Sequence, residues 1–295
     1  MTTTPVYHIP VLLKETLDAL ALKSGGVYLD VTFGGGGHSR AILESDPTIQ
    51  VIGLDWDKAA YDRGQEMVDE FDGRLQLIWG SFAHLYKILK KHNIQKLDGI
   101  LADFGTSQFQ IKNKEGLSFL GDTPLDMRLS NSHYVSTAAH IVNYANPDEL
   151  RHIFWTYGEE PYTKQIVAAI VERRKIKRFL TTGDLASLIS TIVFHKGKTH
   201  PATRVFQALR IVVNKELENI QSFLPVAIKS LAPKGRLVCI SFHSLEDRMV
   251  KDFYKSMEMA REGSIVAPGL VVAGEEEVAV NAACRSAKLR AFEKK

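Results

Sequence analysis

At 295 residues, with 45% hydrophobic and 24% charged side chains, the chain has an ordinary globular composition and can bury a large core in one or two domains. Its two cysteines, Cys239 and Cys284, lie far apart with no C-x-x-C spacing, which argues against a disulfide framework and a zinc site and points to a reducing compartment. Met1 to His8 has no charged stretch leading into an apolar one, and nowhere do about 18 apolar residues run together, so a cytoplasmic chain with no membrane partner is expected. The first element is a helix over Pro10 to Leu22. Val11, Leu12, Leu13, Leu17, Leu20 and Ala21 fall at helical spacing, with Lys14, Glu15 and Asp18 between them.

Val27 to Val31 is a short β-branched and aromatic run that ends in four consecutive glycines, Gly34 to Gly37, before an apolar helical pattern begins at Ala41, Ile42 and Leu43. Strand, glycine-rich turn and helix in that order suit a nucleotide, because a residue without Cβ lets the backbone take φ > 0 and approach a ligand closely. A dinucleotide fingerprint G-x-G-x-x-G/A fits poorly: counted from Gly34, the sixth position is Ser39. Counted from Asp30, the stretch reads Asp-x-Thr-x-Gly-x-Gly, closer to the loop that S-adenosylmethionine enzymes place after their first strand. Val51 to Asp55 is a second apolar strand, and Asp55 lies 21 positions after Gly34, near the spacing at which an acid accepts hydrogen bonds from a ribose diol.

A third strand, Leu75 to Trp79, leads to Phe82, which either joins the core or lies against an adenine ring. A fourth, Gly99 to Ala102, runs into Asp103 and on to Gln110. Strands alternating with helices imply a parallel, doubly wound, Rossmann-like α/β sheet with its ligand at the carboxyl ends of the strands, where Asp103 would face the crevice.

Between Gly116 and Lys215 the strand signal lapses. Asn146-Pro-Asp-Glu149 is a helix start leading into Leu150 to Tyr157, and helical runs follow at Gln165 to Arg174 and Asp184 to Phe194. A fifth strand, Arg236 to Ser241, then resumes the sheet, so the helices read as an inserted domain. From Lys164 to Lys215 eleven basic residues stand against two acids, a net of +9 in a chain whose total is +3. Such a concentration suits phosphate neutralisation and an RNA partner, with Arg173, Arg174, Lys198, Arg204 and Arg210 as the candidate contacts.

Five separated stretches occur in order: Thr32-Phe-Gly-Gly-Gly-Gly-His-Ser39, Gly121-Asp-Thr-Pro-Leu-Asp-Met-Arg128, Tyr157-Gly-Glu-Glu160, His200-Pro-Ala-Thr-Arg-Val-Phe-Gln-Ala-Leu-Arg210 and Ile240-Ser-Phe-His-Ser-Leu-Glu-Asp-Arg248. Together they resemble the RsmH (MraW) family of small-subunit ribosomal RNA cytosine-N4 methyltransferases. The resemblance implies a class I S-adenosylmethionine-dependent methyltransferase sheet, formed by 1–113 and 214–295, with 114–213 as an inserted all-helical domain that recognises RNA. It places cofactor contacts on Gly36, Gly37, His38, Asp55, Phe82, Asp103 and Gln110. It implies small ribosomal subunit RNA as partner and leaves room for a homodimer. The chain departs from the family's Ser-Ser-Pro-Gln segment at Thr106 to Gln110, and keeps only part of an Asn-Pro-Arg-Ala-Arg-Ser pattern at Asn281 to Ser286.

For the chemistry, the methyl group of a sulfonium is already electrophilic, so positioning and desolvating the acceptor do most of the work. A cytosine amino nitrogen is a weak nucleophile, and acceptors at its hydrogens would localise its lone pair. Asp103 is the leading candidate. No Asn/Asp-Pro-Pro-aromatic segment follows strand four, so Ser107, or Ser241 with His243, are candidates for its place. His38 or His243 as general base is the weaker reading, since water can take the proton after transfer. No metal is expected, because His-Glu-x-x-His is absent. Two rivals remain: a nicotinamide-dependent oxidoreductase, separable by calorimetry with each cofactor, and a non-catalytic RNA-binding assembly factor, which would bind RNA without methyl transfer.

Overall fold

The computed structural model describes residues 10–105, 115–118, 121–130, 134–193 and 200–295. The chain divides into two compact units: Met1–Ser107 with Leu217–Lys295, and Gln108–Glu216, where the sequence suggests 114–213 for the insertion.

In the first unit, strands β1 (Val27–Asp30), β2 (Gln50–Asp55), β3 (Leu75–Trp79), β4 (Leu97–Asp103) and β5 (Leu231–Ser241) pair in parallel in the order β3-β2-β1-β4-β5. Strand order reverses beside β1, as in a doubly wound sheet. Beyond β5 the doubly wound sheet continues with antiparallel strands. There β8 (Lys288–Lys294) runs antiparallel to β5, with β6 (Gly263–Ile265) and β7 (Val271–Val272) antiparallel to β8.

Helices α1 (Leu13–Leu20), α2 (Gly37–Ser45), α3 (Lys58–Arg63), α4 (Gln65–Glu70) and α5 (Leu85–Lys91) connect the early strands. After the second unit come α11 (Glu216–Ser230), α12 (Ser244–Met259) and α13 (Glu275–Val280). Alternate strand residues enter separate cores, as the period of two requires. Leu29, Ile52, Ile100 and Leu237 pack with α5, α11 and α12, while Tyr28, Val51, Leu101 and Val238 pack with α1, α2 and α4. The first helix is shorter than its apolar pattern because Leu12 and Ala21, at φ 52° and 48°, turn left-handed at its two ends.

The second unit is helical among its described residues: α6 (Ala138–Tyr144), α7 (Pro147–Thr156), α8 (Thr163–Ile176), α9 (Thr182–Ile192) and α10 (Thr203–Asn214). The Asn146 side chain accepts from Glu149 N, with Pro147 at the first helical position, as its sequence dictates. The Gly121 to Arg128 stretch is built into this unit. Leu125 N donates to Leu180 O, and Asn214 joins it from α10 by accepting from Leu129 N and donating to Met127 O, both at 2.8 Å.

Candidate active site

Parallel pairing brings the ends of β2, β1 and β4 side by side, and each ends in an aspartate: Asp55, Asp30 and Asp103. Among the described residues no Lys or Arg pairs with any of the three. Asp30 is buried; its Oδ2 accepts from Ser39 Oγ at 2.7 Å, and its Oδ1 from Thr32 N at 3.1 Å. Asp55 is also buried, and its oxygens accept from Gly34 N at 2.7 Å and Asp57 N at 2.8 Å. Thus the acid of β2 fixes the start of the glycine loop. Asp103 N donates to Thr32 Oγ1 at 2.7 Å, but nothing among the described residues bonds to its buried Oδ1.

Electrostatics follows from that geometry. Burial pushes the Asp55 carboxyl up to about 6. It pushes Asp103 up to about 8, with the carboxylates of Asp30 and Glu246 raising it further. Asp30 is also raised by burial, against the opposing field of His38. His38 is pushed down by its own burial, and its Nε2 bonds to Val11 O at 3.0 Å, which makes Nε2 the protonated nitrogen of a neutral ring.

The glycine loop has a packing reason as well as a clearance reason. Gly36 sits at φ 75°, and a Cβ there would lie 2.7 Å from Phe33 Cζ and 2.9 Å from Met67 Sδ. Gly34, at φ 55°, has its nearest such neighbour at 3.6 Å and stays open. The Phe33 ring is also pressed by Gly53 and Gly64, where an added Cβ would lie 2.7 and 2.6 Å from ring carbons. Gly37 begins α2, against Pro10.

Phe82 is half-buried after β3, its ring 5.8 Å from Phe104 and 5.5 Å from Phe223 between centroids, so it is at least a core residue with one open side. His243 caps α12: its Nδ1 accepts from Glu246 N at 3.4 Å, while the Glu246 side chain returns to Phe242 N and His243 N. Ser107, Gln110 and Lys198 lie outside the described residues. The sequence reading uses Asp30 and Thr32 to frame the glycine loop but gives them no contact of their own, although an acid ending an apolar strand is the same signal that marks Asp55.

The candidate RNA contacts in the helical unit are largely engaged within it. Arg173 bonds to Lys177 O and Asp184 and lies over the Phe179 ring. Arg174 donates to Val142 O at 2.9 Å and Ala145 O at 2.8 Å, satisfying carbonyls at the end of α6. Arg210 grips Glu216 with two bonds of 2.8 and 3.1 Å. Arg204, more exposed, reaches Glu159 O.

Three acids around a glycine loop repel a pyrophosphate and favour a cationic ligand with hydroxyl donors, which counts against a dinucleotide. Among the described residues no helix is long and apolar enough to cross a membrane. A family model described as the MraW methylase family matches residues 5–295. A ribosomal RNA small subunit methyltransferase H from Bradyrhizobium diazoefficiens is 44% identical, covering 97% of this chain and 91% of that one. Its namesake from a Sulfurihydrogenibium species is 43% identical, covering 97% and 98%. Among solved structures, an rRNA methylase from Streptococcus thermophilus covers 97% of this chain and 98% of its own at 12% identity and a TM-score of 0.44.

Proposed function

The chain belongs to the MraW methylase family, and from that premise we propose that it methylates the N4 amino group of a cytosine in small-subunit (16S) ribosomal RNA, with S-adenosylmethionine as donor. The observation that carries the cofactor reading is the unbonded, buried Oδ1 of Asp103 on an acid-lined strand edge. A sulfonium and a ribose diol meet the needs of that edge better than any anion does. Bound there, the cofactor supplies a methyl group made electrophilic by the adjoining sulfonium.

The remaining chemistry belongs to side chains. Each Asp55 oxygen has a lone pair left after its backbone bond, enough to accept from two ribose hydroxyls. Gly34 to Gly37 give clearance, Gly36, Gly37 and His38 shape the turn, and Phe82 offers its open side to an adenine. Asp103 serves the reacting end, either as a field favouring positive charge or as an acceptor that localises the amino lone pair. Gln110 and Ser107 stay in this reading on sequence alone. The capping bonds of His243 support a positioning role at the start of α12 rather than proton transfer. The helical unit holds the RNA, and the place of action is the cytoplasm, on small ribosomal subunits.

Incubation of the purified protein with labelled cofactor and small subunits from cells lacking it, followed by mass mapping, tests this. A single N4-methylated cytosine is expected. Label on protein, or on no nucleotide at all, would overturn it.

A further inference from the structure

The helical unit carries one surface whose chemistry the arginines discussed above only support from beneath. Asn143, on α6, donates to Phe179 O at 2.8 Å and accepts from Phe179 N at 2.9 Å. This reciprocal pair, with Arg174 on the last carbonyls of α6, fixes the segment after α8 to the end of α6. On either side of the clamp stand Tyr144 and Arg178. The Arg178 guanidinium lies 5.2 Å from the Tyr144 ring centroid, and the His140 ring lies 5.0 Å from it at 37°.

These groups are not a closed core. Tyr144 remains 56% exposed and the adjacent Leu180 61%, and Arg178 itself is exposed. Among the described residues Arg178 has no acidic partner, and it is flanked by exposed Lys175 and Lys177, which face Glu172 at 2.6 Å and Asp184 at 3.8 Å. An exposed ring held in place, with a guanidinium over it that has no acidic partner among the described residues, matches what an unstacked base and its phosphate need. A rigid ring also loses little side-chain entropy on binding. A duplex offers no free base face to it.

We propose that His140, Tyr144 and Arg178 form a stacking platform for an unpaired nucleotide of the RNA substrate. The platform rests on the functional reading given above and adds to it where, and in what form, the helical unit takes the RNA. Arg173 and Arg174 then act as its foundation, and Arg178 and Tyr144 as its contact surface.

The test uses the full chain with Tyr144→Ala, Tyr144→Phe and Arg178→Ser. Affinity is measured at several salt concentrations for protein-free small-subunit RNA, an unstructured oligoribonucleotide, a duplex of equal length, and small subunits. Tyr144→Ala should bind unpaired RNA roughly five- to a hundredfold more weakly, with a smaller loss on the duplex. Tyr144→Phe, which keeps the ring, should recover most of that loss. Arg178→Ser should lower the slope of log affinity against log salt by about one. Unchanged melting temperature and cofactor affinity in each variant separate these effects from misfolding. Wild-type RNA affinity in Tyr144→Ala and Arg178→Ser, in a protein that still methylates small subunits, overturns the platform alone. Losses seen only on small subunits, and not on protein-free RNA, also overturn it and assign the surface to a ribosomal protein. A wild-type chain that neither binds nor modifies RNA overturns the functional reading together with the platform.

Discussion

At the carboxyl edge of the sheet unit Asp30 and Asp55 are buried and Asp103 is half-buried with its Oδ1 sealed from solvent, none with a Lys or Arg paired to it among the described residues, whereas in the helical unit Arg128, Arg173 and Arg210 all find carboxylates of their own unit. Asp30 and Asp55 are held in place by backbone and hydroxyl donors, which position a carboxylate without cancelling its charge. The arginines are largely neutralised or bonded to carbonyls, so much of their charge serves the unit's own architecture. Raw charge density therefore misleads about where a ligand binds; charge left without a counter-charge is the better guide.

That contrast can be broken most forcefully at Asp55. Asp55→Ala removes the acceptor of Gly34 N and of the proposed ribose bonds, each worth about 1.5–3 kcal/mol. Calorimetry should show cofactor affinity falling by two orders of magnitude or more, and an unchanged constant would refute the ribose assignment.

In the helical unit, Arg210→Ala leaves Glu216 without its two-bonded partner, costing about 1.5–3 kcal/mol per charge-assisted bond at most. Thermal unfolding should shift downward while cofactor affinity holds. A variant as stable as the wild type but poor at binding RNA would return Arg210 to the contact surface. Packing gives an effect of similar size or less. Gly53→Ala forces a Cβ to 2.5 Å from Leu77 and 2.7 Å from Phe33, and overpacking of that kind costs about 1–3 kcal/mol by denaturant titration.

The pH dependence sharpens the comparison more gently. Asp103 holds its proton up to about 8 when folded, while an unfolded aspartate releases it near 4, so between those values the folded chain binds more protons and stability falls as pH rises. Asp103→Asn should flatten that decline in melting temperature and also remove the rise of cofactor affinity with pH that a cationic ligand produces. The smallest effect belongs to the exposed Lys175–Glu172 pair, whose removal should change stability by less than about 1 kcal/mol.

Much of the sheet was legible because buried parallel strands are continuous apolar runs: Val51 to Asp55 and Leu75 to Trp79 have the bounds that β2 and β3 share at their C-terminal ends. The C-terminal strand was missed although Lys288, Leu289, Arg290 and Ala291 alternate in period two, a weak signal over so short a stretch. Ser39 reads as a failed third glycine, yet its hydroxyl is the donor that holds Asp30, a bond across nine residues that no local pattern reveals. The sealing of Asp103 Oδ1 from solvent, and the partners of Arg174 and Arg210, depend on chain segments brought together only by folding. The glycine run itself was plain, but the reason for Gly36 required knowing where Phe33 points.

The sheet unit is made from two separated stretches of chain, and this orders its assembly during synthesis. β4 emerges with one edge open, since its neighbour β5 lies beyond every helix of the second unit. The helical unit is complete on the ribosome before that edge can close, and β8 and the Glu277 bond to Leu12 N come last of all. Its early completion shortens the time for which β4, open along one edge, is joined to a floppy tether, because a folded insertion delivers β5 on a compact leash.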